Sequence, residues 1–138
     1  MNIFEQVIQK ELQTEKNAVK KIEPILFEIK ETLQIKDEKF YNMLIAVSEA
    51  VNNAVFHGNK CNLNKLIKFL LIVKGRTVEI TVSDEGKGFD LSKLADPREP
   101  ENLLKASGRG VFLINELSDS TKYEIDKEGV TVKMIFHV

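Results

Sequence analysis

Glu49, Asn53 and His57 stand four residues apart in the run Ser48-Glu49-Ala50-Val51-Asn52-Asn53-Ala54-Val55-Phe56-His57-Gly58. Four residues advance an α-helix by one turn plus about 40°, so on a helix the three form one polar stripe. Ala50, Val51, Ala54, Val55 and Phe56 between them are apolar and suit packing. A carboxylate and an amide oxygen one turn apart can serve as a base and as a ligand of a hard cation, since magnesium prefers oxygen ligands and keeps several waters. Taken alone, the stripe reads at least as readily as a polar helix face closed by a His-Gly end.

Two glycine-rich turns follow. Ser83-Asp84-Glu85-Gly86-Lys87-Gly88-Phe89 succeeds an alternating apolar run, and Ser107-Gly108-Arg109-Gly110-Val111-Phe112-Leu113-Ile114 opens a second one. Glycine lets backbone N–H groups approach a phosphate closely, and a following helix adds its positive N-terminus. Each turn alone is ordinary punctuation. Three such segments, in this order within one short chain, are far more specific.

On these residues the chain resembles ATP-binding domains of the Bergerat (GHKL) type, the superfamily of gyrase, Hsp90, histidine kinases and MutL. The three segments match that superfamily's N, G1 and G2 boxes. Within it the chain is most similar to the small anti-sigma factor serine/threonine kinases, whose N box has the form S-E-A-V-x-N-A-x-x-H-G. Here that stretch reads SEAVNNAVFHG. Histidine kinases usually lack the His-Gly ending. The resemblance runs from about Asp37 to the end of the chain.

The resemblance implies a role for each residue. Asp84 accepts a hydrogen bond from the adenine amino group, and a fixed carboxylate there disfavours the guanine carbonyl. The plain alternative is a turn-forming Asp bonded to its own backbone. Gly86 and Gly88 keep the floor of the purine pocket free of side chains. Thr131 is either a polar contact near Asp84 or an ordinary strand threonine. Asn53 holds Mg2+ through its side-chain oxygen, with the ATP phosphates completing the shell. Glu49 is the general base toward an attacking hydroxyl. His57 joins the nucleotide-binding group in an anchoring role rather than in proton transfer. Gly108 and Gly110 cradle phosphates, and Arg109 between them reaches a phosphate or faces solvent. Lys105 and Arg98, in the segment from Ala95 to Ser107 that corresponds to a mobile ATP lid, are phosphate contacts or solvated surface.

The elements that must position these residues follow from periodicity. Ile3 to Leu12 is an edge strand of imperfect alternation. From Thr14 to Gln34, Ala18, Val19, Ile22, Ile25, Leu26, Ile29 and Leu33 recur at helical spacing, with Thr14 as a cap and Pro24 expected to kink or divide the helix. Asp37 caps a second helix whose apolar face runs from Phe40 to Val55 and ends at Gly58-Asn59. Leu66–Val73 and Thr77–Val82, split by Lys74-Gly75-Arg76, make a hairpin. Asp90 to Asn102 is a polar loop, with room for a short helix. Gly110 to Leu117 begins a helix, and Lys122–Ile125 with Val130–Phe136 makes a second hairpin. Early helices followed by antiparallel hairpins predict an α+β fold, a two-layer sandwich with helices on one face of a mostly antiparallel sheet. The resembled superfamily has that architecture.

Composition sets the outer limits. The 138 residues amount to one domain with room for a sizeable core. Twenty Lys and Arg balance 21 Asp and Glu, so no basic excess advertises nucleic acid or an anionic membrane. The single cysteine, Cys61, excludes an internal disulfide and fits a reducing compartment. No cysteine–histidine cluster suggests zinc. The start Met1-Asn2-Ile3-Phe4-Glu5 does not read as a signal peptide, and no apolar run has membrane-spanning length, so the expected location is cytoplasmic.

The expectation is therefore a Mg2+-dependent, ATP-binding serine/threonine protein kinase of the anti-sigma type. The resemblance implies a sigma factor that it sequesters, a small antagonist protein that it phosphorylates, and a homodimer formed through the N-terminal portion. The alternative is a catalytically silent, ATP-dependent partner-switching module that keeps Asp84, Asn53 and the glycines but does not use Glu49. A detached histidine-kinase catalytic domain is a third reading, weakened by the His-Gly ending.

Overall fold

The computed structural model describes residues 5–86, 108–126 and 128–138. In chain order they form β1 (Glu5–Gln13), α1 (Val19–Leu33), α2 (Asp37–Asn53), a π-helical turn (Ala54–Gly58), β2 (Leu66–Lys74), β3 (Thr77–Ser83), α3 (Gly108–Leu117), β4 (Ser120–Asp126) and β5 (Gly129–His137). The five strands make one sheet in the order β1-β2-β3-β5-β4, with every pairing antiparallel. This is the expected α+β architecture.

Strand alternation builds the inner face. The register aligns Val73, Val78 and Phe136 in one row, Leu71, Ile80 and Met134 in the next, and Phe69, Val82 and Val132 in a third. All nine side chains are buried. On them lie Ile22, Leu26, Ile29 and Leu33 of α1 and Phe40, Met43, Val47 and Val51 of α2, one buried stripe per helix. Truncating a fully buried core aromatic such as Phe40 costs about 3–5 kcal/mol.

Three local expectations differ. Thr14 does not cap α1, which begins at Val19 with Ala18 at its N-cap. Thr14 is instead a buried hydroxyl that donates to the Lys65 carbonyl at 2.6 Å. Pro24 lies inside α1 without dividing it. Apolar residues on both sides of Pro24, at positions 22, 26, 29 and 33, fasten the two halves to the same sheet. Asp37 is the first residue of α2 rather than its cap. There it favours the helix N-terminus, and it pairs with Lys30 at 2.9 Å. The polar loop expected from Asp90 to Asn102 lies outside the described residues.

Two tethers close the far end of the sheet. Arg76, in the β2–β3 turn, donates to the Leu33 carbonyl at the end of α1 (2.6 Å) and to the Val138 carbonyl (2.8 Å). Lys39 on α2 pairs with Asp119, which also accepts from the His137 N–H at 2.7 Å.

Candidate nucleotide site

Asp84 follows the last residue of β3, at the edge where β5 begins. Its backbone continues the ladder, its N–H donating to the Val130 carbonyl at 3.0 Å. Its side-chain Oδ1 accepts from the N–H groups of Gly86 (3.0 Å) and Val130 (3.2 Å). Burial pushes the Asp84 carboxyl above the usual carboxylate range. The two N–H groups and the charge of Lys65 pull it partly back. Both of these side-chain bonds end on Oδ1, and Oδ2 points toward Gly58.

Three glycines crowd this turn: Gly86 within it, and Gly58 and Gly129 from distant parts of the chain. A Cβ on Gly58 would lie 2.1 Å from Asp84 Oδ2, and one on Gly86 would lie 2.1 Å from the Gly58 carbonyl oxygen. Gly129 has φ +155°, and a Cβ there would lie 2.2 Å from the Asp84 carbonyl oxygen. Only hydrogen fits at any of them. The sequence pointed to Gly86 alone as a site residue. Gly58 read as a helix end and Gly129 as a hairpin turn. The signal available for Gly129 was its place immediately before the expected strand Val130–Phe136; it is in fact the first residue of β5.

The end of α2 explains how Gly58 reaches Asp84. The turn from Ala54 to Gly58 is π-helical, its widened hydrogen bonding marked by Asn59 N–H donating to the Ala54 carbonyl at 2.8 Å. Such single π turns recur at functional sites. A wider turn advances less per residue than the 100° of an α-helix, so the Glu49–Asn53 stripe does not continue evenly to His57. His57 is exposed on this turn.

Glu49 and Asn53 are half-buried, one turn apart on α2. The first turn of α3 packs directly against them. A Cβ on Gly110 would sit 3.0 Å from Glu49 Oε2 and 3.1 Å from both Asn53 Oδ1 and Nδ2. The N-terminal turn of α3, where a helix's first N–H groups have no intrahelical partner, therefore lies against the Asn53 amide and the Glu49 carboxylate. That set of donors and charges suits a polyphosphate with a hard cation.

The other expected residues are placed as follows. Thr131 pairs with Ser83 across the β3–β5 ladder and donates to its hydroxyl at 3.0 Å. Both alternate with the buried Val82 and Val132, so they face the other side of the sheet. Val130 is the residue whose backbone reaches Asp84. Gly108 and Arg109 fall in the first turn of α3. Gly88, Lys105 and Arg98 lie outside the described residues.

The chain is similar to several known proteins. The sequence pattern of the family described as "Histidine kinase-like ATPase domain" matches residues 12–136. The chain is 33% identical over 97 residues to the anti-sigma F factor of Anoxybacillus flavithermus, covering 67% of this chain and 65% of that protein. It is 34% identical over 103 residues to the serine-protein kinase RsbW of Oceanobacillus iheyensis (70% and 65% covered). It is also 34% identical over 107 residues to RsbW of Listeria monocytogenes (73% and 68% covered). The match thus spans about two thirds of the length of these relatives. Among solved structures, the RsbU and RsbW domains of a Mycobacterium tuberculosis protein superpose with a TM-score of 0.70 at 18% identity, covering 96% of this chain and 32% of that one. A histidine kinase domain from Erythrobacter litoralis gives 0.59 at 14% identity, covering 91% and 61%. At those identities the likeness is one of fold. No helix among the described residues is long and apolar enough to cross a membrane.

Proposed function

Because the chain belongs to the histidine kinase-like ATPase domain family, we propose that it is an ATP-binding anti-sigma-type regulator that transfers the γ-phosphoryl group to Ser or Thr of a small antagonist protein. The observation that carries this reading is the packing of Gly110 against Glu49 and Asn53, which places a carboxylate, an amide oxygen and a helix N-terminus together. In this proposal Asp84 accepts the adenine amino hydrogen through its carboxylate, in a pocket cleared by Gly58, Gly86 and Gly129. Asn53 offers its side-chain oxygen to Mg2+. When bound, the ion offsets charge on the transferring phosphoryl group. Glu49 takes the proton from the attacking hydroxyl as its oxygen bonds to phosphorus and the bond to the β-phosphate oxygen breaks, leaving ADP. The backbone N–H groups at the start of α3 hold the phosphates. His57, Arg109, Lys105 and Gly88 complete the proposed nucleotide-binding set, whereas Thr131, on the opposite face of the sheet, does not join it.

The partners in this proposal are a sigma factor, the phosphorylated antagonist and a second copy of the chain, and the location is cytoplasmic. The test is transfer of labelled γ-phosphate to candidate antagonists, with Glu49→Gln as the control. The variant should bind ATP as the wild type does and lose about 10²–10⁴-fold in transfer rate. Equal transfer by the variant would remove Glu49 from the chemistry. ATP binding without transfer to any antagonist would favour the silent partner-switching module.

A further inference from the structure

Asn59, one residue past the π turn, is one of two buried polar residues among those described, at 1% exposure; Thr14 is the other, also at 1%. They touch each other. Asn59 Nδ2 donates to Thr14 Oγ1 at 2.9 Å and to the Leu66 carbonyl at 3.1 Å, and Asn59 Oδ1 accepts from the Glu85 N–H at 2.7 Å. Thr14 donates onward to the Lys65 carbonyl at 2.6 Å, and the Leu66 N–H donates to Glu85 Oε2 at 2.7 Å. These bonds join the end of β1, the start of β2 and the Asp84–Gly86 turn. Those segments are otherwise far apart in the chain.

The Glu85 N–H belongs to the residue between Asp84 and Gly86. Gly86 supplies one of the two N–H groups that fix Asp84 Oδ1. Holding the Glu85 amide therefore sets the turn that orients the Asp84 carboxylate. The chemistry selects the side chain at 59. The position needs two donor hydrogens and one acceptor on a single short planar group, which an amide supplies and a carboxylate or hydroxyl does not. Buried polar groups satisfied in this way hold one arrangement, because every alternative leaves a donor or acceptor unpaired.

We propose that Asn59 is a positioning residue for adenine recognition. It locks the Asp84–Glu85–Gly86 turn, and Thr14 at the end of the edge strand locks Asn59. The proposal rests on Asp84 being the adenine-reading group and adds the residues that aim it. A purely structural staple would alter melting temperature without altering which base is bound, so base selectivity is the deciding readout.

The experiment measures Kd for MgATP and MgGTP by calorimetry on the full chain. The proteins are wild type, Asn59→Ala, Thr14→Val, Thr14→Ser and Asp84→Asn, each first shown to melt cooperatively. Asn59→Ala should weaken ATP binding about 10- to 100-fold, the effect of an unpaired buried amide and a misdirected carboxylate, and should lower the ATP-to-GTP preference. Thr14→Val leaves the Glu85 bond but frees one Asn59 donor, and should weaken ATP binding about 3- to 10-fold in the same direction. Thr14→Ser keeps the hydroxyl and should bind as wild type does. Folded Asn59→Ala and Thr14→Val proteins with lowered melting temperature but wild-type Kd and wild-type base preference would overturn the proposal. Should Asn59→Ala fail to fold, Thr14→Val decides on the same criterion. An Asp84→Asn protein that binds ATP as tightly as wild type would overturn the adenine reading itself, and this proposal with it.

Discussion

Gly58→Ala is the smallest change that should disable the site. The added carbon would lie 2.1 Å from Asp84 Oδ2 and 2.3 Å from its Cγ, where ordinary contact begins at 3.4 Å. The gap must open by 1.3 Å (3.4 minus 2.1). Asp84 Oδ1 is held by N–H groups at 3.0 and 3.2 Å, and a shift of that size carries it out of reach of at least one. On the other side Gly58 cannot retreat freely, because its carbonyl presses on Gly86. The lost interaction is a hydrogen bond to a charged group, about 1.5–3 kcal/mol, so ATP affinity should fall about 10- to 150-fold. Overpacking adds about 1–3 kcal/mol of lost stability. Gly75→Ala supplies the control. Gly75 has a positive φ of 61°, unlike Gly58, and lies in the β2–β3 turn away from Asp84. That variant should lose about 1 kcal/mol of stability or somewhat more and keep its ATP affinity. Calorimetric titration of MgATP into the three proteins reads the difference directly. A folded Gly58→Ala protein binding ATP within twofold of wild type, about 0.4 kcal/mol, would refute the reasoning.

Other outcomes follow from the same geometry. Asp84 has its pKa raised by burial, so its favourable contribution to stability is full below the ordinary carboxylate range and is lost as pH rises through its folded value. At neutral pH the ionised group is a liability to the unliganded fold. Asp84→Asn should therefore melt at the same or higher temperature than wild type at pH 7 while losing ATP binding; a clear drop in melting temperature would contradict this. Asp119 behaves oppositely. Burial pushes it up, but the Lys39 hydrogen bond, the His137 N–H and the nearby charges carry it below the usual range. Its stabilisation is present above the ordinary value and lost as pH falls through the folded one. Asp119→Asn should cost at most about 1 kcal/mol at pH 7 for this part-exposed pair and should flatten the acid limb of melting temperature against pH. Asn53→Ala should remove the Mg2+ enhancement of ATP binding while leaving metal-free binding within about threefold, under 1 kcal/mol. A full enhancement retained by that variant would move the cation elsewhere.

The legible parts of the fold were those with short-range physical signals. The apolar, β-branched run from Leu66 to Val73 announced β2, Lys74-Gly75-Arg76 announced the turn after it, and even the poorly patterned β1 was readable as an edge. The three candidate segments stood out because each carries its pattern of residues within a few consecutive positions. What escaped was long-range or depended on an unusual turn. Thr14 looked like a helix cap because its preference for caps is local, whereas its actual partners at Asn59 and Lys65 are 45 and 51 residues away. Pro24 looked like a breaker because propensity counts the missing N–H and not the buried residues flanking it. Gly58 and Asn59 looked like punctuation because an even α-helical period hides a π turn. That turn swings both residues onto the Asp84 side, where one makes room for the carboxylate and the other holds its backbone.

The most direct test of the account is calorimetric titration of ATP into the wild-type protein with and without Mg2+. Binding that the metal strengthens, and that GTP does not reproduce, is the predicted result. No binding at millimolar ATP in the presence of Mg2+, from a cooperatively folded protein, would contradict the assignment of Asp84, Asn53 and the α3 N-terminus to a nucleotide site.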